Sequence, residues 1–410
     1  MSKIKPFSAY RPAADLAARV ASPPYDVVNS EEARALAEGN GVSFLHVGKP
    51  EIDFDPSVSP YDDRIYARGA ENLRRLIDDG VLQKEGKPCL YVYQQKMGGH
   101  LQAGLVCLCS VKEYEEGLIK RHEHTRKEKE DDRTRHVTEQ NANAEPVFLT
   151  YPADTRIDTI VDRVRANDPI YDIVTDDGIG HTVWAVSDDG DITDLEGLFL
   201  EVPALYVADG HHRTAAAVRT GQALRSSGGG PDAPHEYFMA VVFPHDQLQI
   251  LDYNRVVKDL NGLSAEAFLE RVSAFFDIAS ADAPKPPSPR QFGMYLNGTW
   301  HRLTAKEGTF PSEDPIKSLD VSILQENLLN PVLGIEDPRT DHRIDFVGGI
   351  RGTAELEKRC SEGWAVAFAM YPTTLEQLMA VADSGQVMPP KSTWFEPKLR
   401  SGLLVRLIED

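Results

Sequence analysis

The sequence predicts an α+β protein, with a mixed sheet at its core and further α/β elements towards both termini. Apolar runs of strand length recur at 89–93, 101–111, 147–149, 205–208 and 238–243, bounded by turn-forming residues. Helical spacing occupies 61–79, where Tyr66, Leu73, Leu76 and Ile77 share one face and Gly80 stops the pattern. The third observation is a junction: the buried-strand run 205–208, then Asp209-Gly210, then the alanine-rich 214–218 that favours helix.

Taken in order, residues 1–30 read as loop, punctuated by Pro6, Pro12, Pro23 and Pro24. The two prolines at 23 and 24 stiffen the chain, so Tyr25 and Asp26 are either held at a site or belong to a plain structural turn. Ser30-Glu31-Glu32 opens a short helix with acids in its first turn, and 43–47 reads as a strand. The runs 89–93 and 101–111 pair through a hairpin at Gly98-Gly99. The charged stretch 121–136 fits a solvated helix, with i,i+4 pairs such as Arg126–Glu130 and Lys127–Asp131. Because Glu123 stands between His122 and His124, just after the apolar Leu118-Ile119, an active-site loop entering a helix is preferred. Residues 157–204 suggest antiparallel strands with turns at Asp177-Gly178 and Asp189-Gly190. Residues 226–234 form a flexible loop, a surface excursion or a lid, before strands at 238–243 and 248–255. Beyond a proline-rich linker at 281–289 come a hairpin at Asn297-Gly298, a helix at 321–329 and a strand with a glycine turn at 344–349. In the tail, Lys391 to Lys398 surround Trp394 and Phe395 with lysines and hydroxyls, which suit phosphate binding or simple packing. The expected division is 1–114, 115–260 and 261–410.

The junction at 209–214 carries the chemistry. Gly210 supplies the backbone freedom for a sharp turn and lets a ligand approach the main chain. A helix starting at His211 presents its free N–H groups and positive dipole end there, beside two imidazoles and the Arg213 guanidinium. That combination suits phosphate oxygens.

Composition narrows the field. With 410 residues there is room for two or three domains, and 41% hydrophobic residues place the chain among globular proteins. No apolar run approaches the roughly 20 residues of a membrane span, and the N-terminal residues lack a signal-peptide stretch. A cytoplasmic location without membrane contact is expected. Cys89, Cys107, Cys109 and Cys360 include no Cys-x-x-Cys pair, so reduced core thiols are expected. A formal charge of -20 argues against nucleic-acid partners, which require basic surfaces. No Gly-x4-Gly-Lys-Ser/Thr loop is present, so a P-loop kinase is excluded.

Asp209-Gly210-His211-His212-Arg213 resembles the nucleotide-phosphate motif of the ParB/sulfiredoxin superfamily, whose free-serine kinases carry a similar Asp-Gly-His-His-Arg. The whole chain resembles the DUF1015 family through four stretches: 22–27, 121–125, 130–133 and 392–399. The resemblance implies a ParB/sulfiredoxin-like core over 115–260. It also implies a kinase moving phosphoryl from ATP or ADP to a small hydroxyl compound, most plausibly free L-serine, giving O-phosphoserine. Under that reading Gly210, His211, His212, Arg213 and Thr214 cradle donor phosphates, with Lys127 and Arg133 meeting them from the charged stretch. Asp209 or Glu123 takes the hydroxyl proton, His211 or His212 together with Arg213 stabilises the transferring group, and Glu123 is a candidate ligand for Mg2+. Tyr25, Asp26, His122, His124 and Thr125 are the expected substrate contacts. Partners are the nucleotide and its acceptor, and a homodimer is allowed. The alternative is a CTP- or ATP-binding switch without phosphotransfer; a zinc hydrolase using His122, His124 and His211 ranks third. Sulfiredoxin chemistry is excluded, because its cysteine nucleophile would stand where this chain has His211.

Overall fold

In the computed structural model the apolar runs assemble into a mixed nine-stranded sheet. Residues 2–226, 228 and 230–409 are described, and every statement of number or absence below concerns them. The strands are β1 (Ile4–Lys5), β2 (Leu90–Met97), β3 (His100–Ser110), β4 (Ile119–Lys120) and β5 (Val147–Tyr151), followed by β6 (Tyr171–Val174), β7 (Gly180–Val186), β8 (Leu205–Asp209) and β9 (Tyr237–Pro244). Their order is β4-β8-β5-β9-β3-β2-β7-β6, with β1 added on β3. The pairs β4/β8 and β5/β9 are parallel and the others antiparallel, which makes the sheet mixed.

Leu105, Cys107, Val147, Leu149, Val207, Phe238, Ala240 and Val242 form one buried cluster with Ile157, Leu195 and Phe199. Their spacing of two along each strand puts them on one face of the sheet. The helices of this unit include α1 (Asp63–Asp78), α2 (Lys127–Gln140), α3 (Thr155–Arg165), α4 (Asp189–Phe199) and α5 (His211–Arg225). Ile157 lies on α3, and Leu195 and Phe199 on α4, so those two helices cover that face.

By contacts the chain divides into Met1–Leu248 with Pro397–Asp410, and Gln249–Glu396. The expected boundaries were 114 and 260, yet β2 and β3 lie in the same sheet as β5 and β7 to β9, so no break falls at 114. The closing segment belongs to the first unit: Arg406–Leu407 pairs antiparallel with Ala142–Asn143, and Ser401 and Val405 bridge to Ser22 and Tyr10. The second unit holds an antiparallel six-stranded sheet made of β10 (Tyr253–Val257), β11 (Phe276–Ser280), β12 (Gln291–Leu296), β13 (Thr299–Ala305), β14 (Ile344–Gly348) and β15 (Val366–Ala369). Its order is β11-β13-β12-β15-β10-β14, over a core of Val256, Val347, Leu356, Ala367 and Ala369.

Several elements depart from the sequence reading. Residues 43–47 are not a strand; Leu45–Gly48 is a single helical turn. Phe44, Leu45 and Val47 are all buried, and an apolar run that short has no period with which to distinguish turn from strand. Within 157–204 only the β6–β7 hairpin around Asp177-Gly178 is antiparallel strand. The rest is α3 and α4, whose starts are capped by Asp154 and Asp188 accepting N–H from Arg156 and Asp191. Asp189-Gly190 is therefore the first turn of a helix. The 321–329 helix exists as Asp320–Leu324 and widens into a π-turn over Gln325–Leu329. Of the expected loop 226–234, Ser227 and Gly229 lie outside the described residues. No helix is long and apolar enough to cross a membrane.

Candidate functional site

Parallel strands β4 and β8 run in register, Ile119 beside Leu205 and Lys120 beside Tyr206. Both chains therefore leave the sheet at the same edge, which brings 121–126 next to 209–213. Asp209 closes β8, and Gly210 follows in the left-handed region at φ 85°. There L side chains pay roughly 1–2 kcal/mol that glycine does not. A Cβ at 210 would also stand 3.0 Å from Arg213 Nε, so the glycine lets the guanidinium fold back against the turn. The 15-residue helix α5 begins at His211. The Thr214 N–H and hydroxyl both donate to the Gly210 carbonyl, at 2.9 and 3.0 Å, closing the first helical turn. The earlier N–H groups have no helical acceptor, which leaves a positive rim.

Arg213 is the hub. It is buried; its Nη1 donates to the Pro146 carbonyl at 2.8 Å, and its Nη2 lies 3.5 Å from Asp26 and 3.8 Å from Asp209. Burial works against its charge, but Asp26, Asp209 and Glu145 outweigh burial and raise its pKa. Asp209 also accepts from Lys398 Nζ at 3.0 Å and from the Gly210 N–H at 2.9 Å. Burial alone would raise its pKa; Lys398 and Arg213 prevail and hold the carboxyl far below its ordinary range. Glu145 accepts from the Tyr25 N–H and the Ser401 hydroxyl, and burial pushes its carboxyl upward. Arg133 stacks on the Tyr25 ring, 3.9 Å from its centroid, and pairs with Asp132. Arg133, His136, Glu145 and Arg213 line a cavity of about 40 Å³.

The imidazoles form a second cluster. His122 and His211 are 2% and 7% exposed, and their rings meet edge to face at 4.5 Å. Glu123 Oε2 lies 3.9 Å from His211 Nδ1. Burial brings His122 down to about 4, against the raising influence of the Val207 backbone and Asp209. Burial, then the neighbouring His122, lower His211 well below the usual histidine value. His212 Nε2 accepts the Arg126 N–H at 3.1 Å, tying the charged stretch to the turn.

The structure thus brings together Tyr25, Asp26, Asp209, Gly210, Arg213 and Arg133 in one cluster, and His122, Glu123 and His211 in another. Thr214 spends its hydroxyl on the helix, and the Thr125 hydroxyl donates to Glu130. His124 and Lys127 are exposed, with no hydrogen bond or ion pair to the turn. The expected Arg126–Glu130 and Lys127–Asp131 pairs do not form; Arg219 on α5 takes both acids, Glu130 at 3.4 Å and Asp131 at 2.7 Å. Sequence reasoning missed Glu145 and the pairing of Lys398 with Asp209. Lys398 did stand in the 392–399 stretch, but its partner lies 189 positions away. For Glu145 no sequence signal existed beyond its place before a strand.

One strand–helix junction thus carries a left-handed glycine, a helix start and a buried guanidinium. The chain belongs to the DUF1015 family of proteins of unknown function, whose model matches residues 4–322. Of the four stretches of resemblance, 392–399 lies beyond that match. No curated protein matches the chain. Among solved structures, a free serine kinase in complex with AMP is similar at 14% identity and TM-score 0.35, over 73% of this chain and 91% of that one. A conserved hypothetical protein from Pyrococcus furiosus shares 14% identity at TM-score 0.35, over 74% and 95% of the two chains. SbnI with a C-terminal truncation, from Staphylococcus aureus, shares 12% at TM-score 0.38, over 74% and 87%.

Proposed function

We propose that this protein is a small-molecule kinase that moves a phosphoryl group from ATP or ADP to a hydroxyl, with free L-serine as acceptor and O-phosphoserine as product. The observation that carries the reading is the left-handed Gly210 opening α5 with the buried Arg213 folded back beside it. Such a turn offers backbone N–H groups, a helix dipole and a fixed positive charge to a phosphate. The acceptor comes from the resemblance of the Asp-Gly-His-His-Arg motif to the serine kinases.

In this reading Gly210 to Arg213 bind the donor phosphates. The acceptor oxygen bonds to the terminal phosphorus as the bond to the leaving phosphate oxygen breaks, and the hydroxyl proton goes to a carboxylate. Positioning and charge neutralisation supply most of the acceleration. Asp209 is a poor proton acceptor, because Lys398 and Arg213 hold it ionised at low basicity. Glu123, with its side chain 54% exposed, is available either to take that proton or to hold an ion. Magnesium would neutralise donor phosphates; it needs only one or two protein carboxylates, and Glu123 and Asp26 offer theirs. Arg133 is committed to Asp132 and Tyr25 and serves to hold the Tyr25–Asp26 loop.

Phosphorus NMR of the protein with magnesium, L-serine and ATP, ADP, CTP or pyrophosphate in turn tests the reading. A phosphoserine signal is expected with one donor, falling at least about tenfold in Arg213→Lys, which keeps charge but loses the planar fork. Donor binding without any new phosphorus species, over serine and a panel of alcohols, would replace the kinase with a nucleotide switch.

A further inference from the structure

The imidazole cluster poses a problem that phosphate binding does not solve. His122 and His211 are carried out of the sheet by the parallel strands β4 and β8 and become buried against each other. The Val207 backbone approaches His122, but no hydrogen bond of good geometry reaches either ring nitrogen of His122, nor His211 Nε2. A buried ring nitrogen left unsatisfied is destabilising. One donor atom from each of His122, Glu123 and His211 lies within 4.8 Å of the other two.

We propose that His122, Glu123 and His211 form a binding site for one divalent transition-metal ion, such as Zn2+, Mn2+ or Co2+. Two imidazoles and one carboxylate suit such ions, whereas Mg2+ and Ca2+ select oxygen donors. Donors about 2.0–2.2 Å from a common ion stand roughly 3–3.5 Å apart, so the three need to close by about 1 Å. The Glu123 side chain is 54% exposed while both rings are buried, so the carboxylate is the donor with room to shift. The ligands arise from only two short segments, and three protein donors would leave such an ion open positions. The inference rests on these three side chains and stands without phosphoryl transfer, although it makes Glu123 a ligand rather than the proton acceptor.

The test uses the full chain, stripped with a chelator and titrated with Co2+, followed by visible absorption and elemental analysis after dialysis. One equivalent is expected, with the d–d bands of an imidazole–carboxylate site, displaced by Zn2+ and untouched by Mg2+ in roughly 1000-fold excess. Affinity should fall roughly 100-fold in His122→Asn and in Glu123→Gln, and stay unchanged in His124→Ala. If His122→Asn fails to fold by circular dichroism, the exposed Glu123→Gln carries the test. Absence of cobalt bands, displacement by Mg2+, or unchanged binding in Glu123→Gln would overturn the proposal. Phosphoserine formed by protein that shows no cobalt bands would leave the kinase standing and remove this site; bound cobalt without phosphoserine would do the reverse.

Discussion

Asp209 shows how partners decide against burial. An isolated carboxyl in its position would be pushed towards the neutral form, yet Lys398 at 3.0 Å and Arg213 at 3.8 Å keep it charged. The opposite outcome holds at His181, where burial outweighs every neighbour, followed by the repulsion of Arg400, and brings the imidazole to about 3. Its Nδ1 meets the Tyr93 hydroxyl at 2.7 Å, and Arg400 Nε donates to Nε2 at 3.3 Å, so the neutral ring is the one the fold accommodates. The sign of the linkage follows. Near pH 6.5 the unfolded histidine begins to take up a proton that the folded one refuses until about pH 3. Its contribution is fully present above pH 6.5 and is lost as pH falls towards 3, by at most about 5 kcal/mol at 1.36 per unit. Urea unfolding at pH 7 and pH 5 should show wild type losing more stability than His181→Gln over that interval. Equal losses in the two proteins would place the acid sensitivity elsewhere.

At the scale of elements, the strand–turn–helix junction was legible because each of its parts has its own local rule. An apolar run gives β8, the glycine gives the reversal and the alanine-rich stretch gives α5. The same local rules misled at 189–190, where Asp-Gly reads as a hairpin turn but Asp188 caps a helix. They also failed at 43–47, where burial of both sides erases periodicity. Gly210→Ala tests the junction as an element. The left-handed backbone, together with a Cβ 3.0 Å from Arg213 Nε, predicts a loss of about 1–3 kcal/mol in unfolding free energy. Gly98→Ala is a useful contrast, since it shares the positive φ but has nothing within 4 Å of its added Cβ. The difference between the two variants, read from chemical denaturation, isolates the crowding at Arg213; no difference would mean that the guanidinium moves aside freely.

For the whole molecule, local sequence patterns locate most strands but not the path that closes the first unit. Residues 397–410 come back after a 148-residue excursion, Gln249–Glu396, to supply Lys398 to Asp209 and Ser401 to Glu145. No local pattern encodes a contact across that separation, which is why the expected boundaries at 114 and 260 differ from the observed division. The residues gathered around the turn were legible to the extent that they cluster in sequence: Asp209 to Arg213, His122 and Glu123 stand in two short stretches, whereas Glu145 and the Lys398 pairing carry no local signal. With a formal charge of -20, the chain as a whole repels anions, so any phosphate ligand depends on the local charge of Arg213, Lys398 and the α5 terminus. The most direct measurement is therefore calorimetric titration of ATP and ADP into wild type and Arg213→Lys, with folding checked by circular dichroism. One nucleotide site per chain is expected, weakened at least about tenfold by the substitution. Absence of nucleotide binding, or identical affinity in the two proteins, would contradict the assignment of the Gly210 turn as a phosphate cradle.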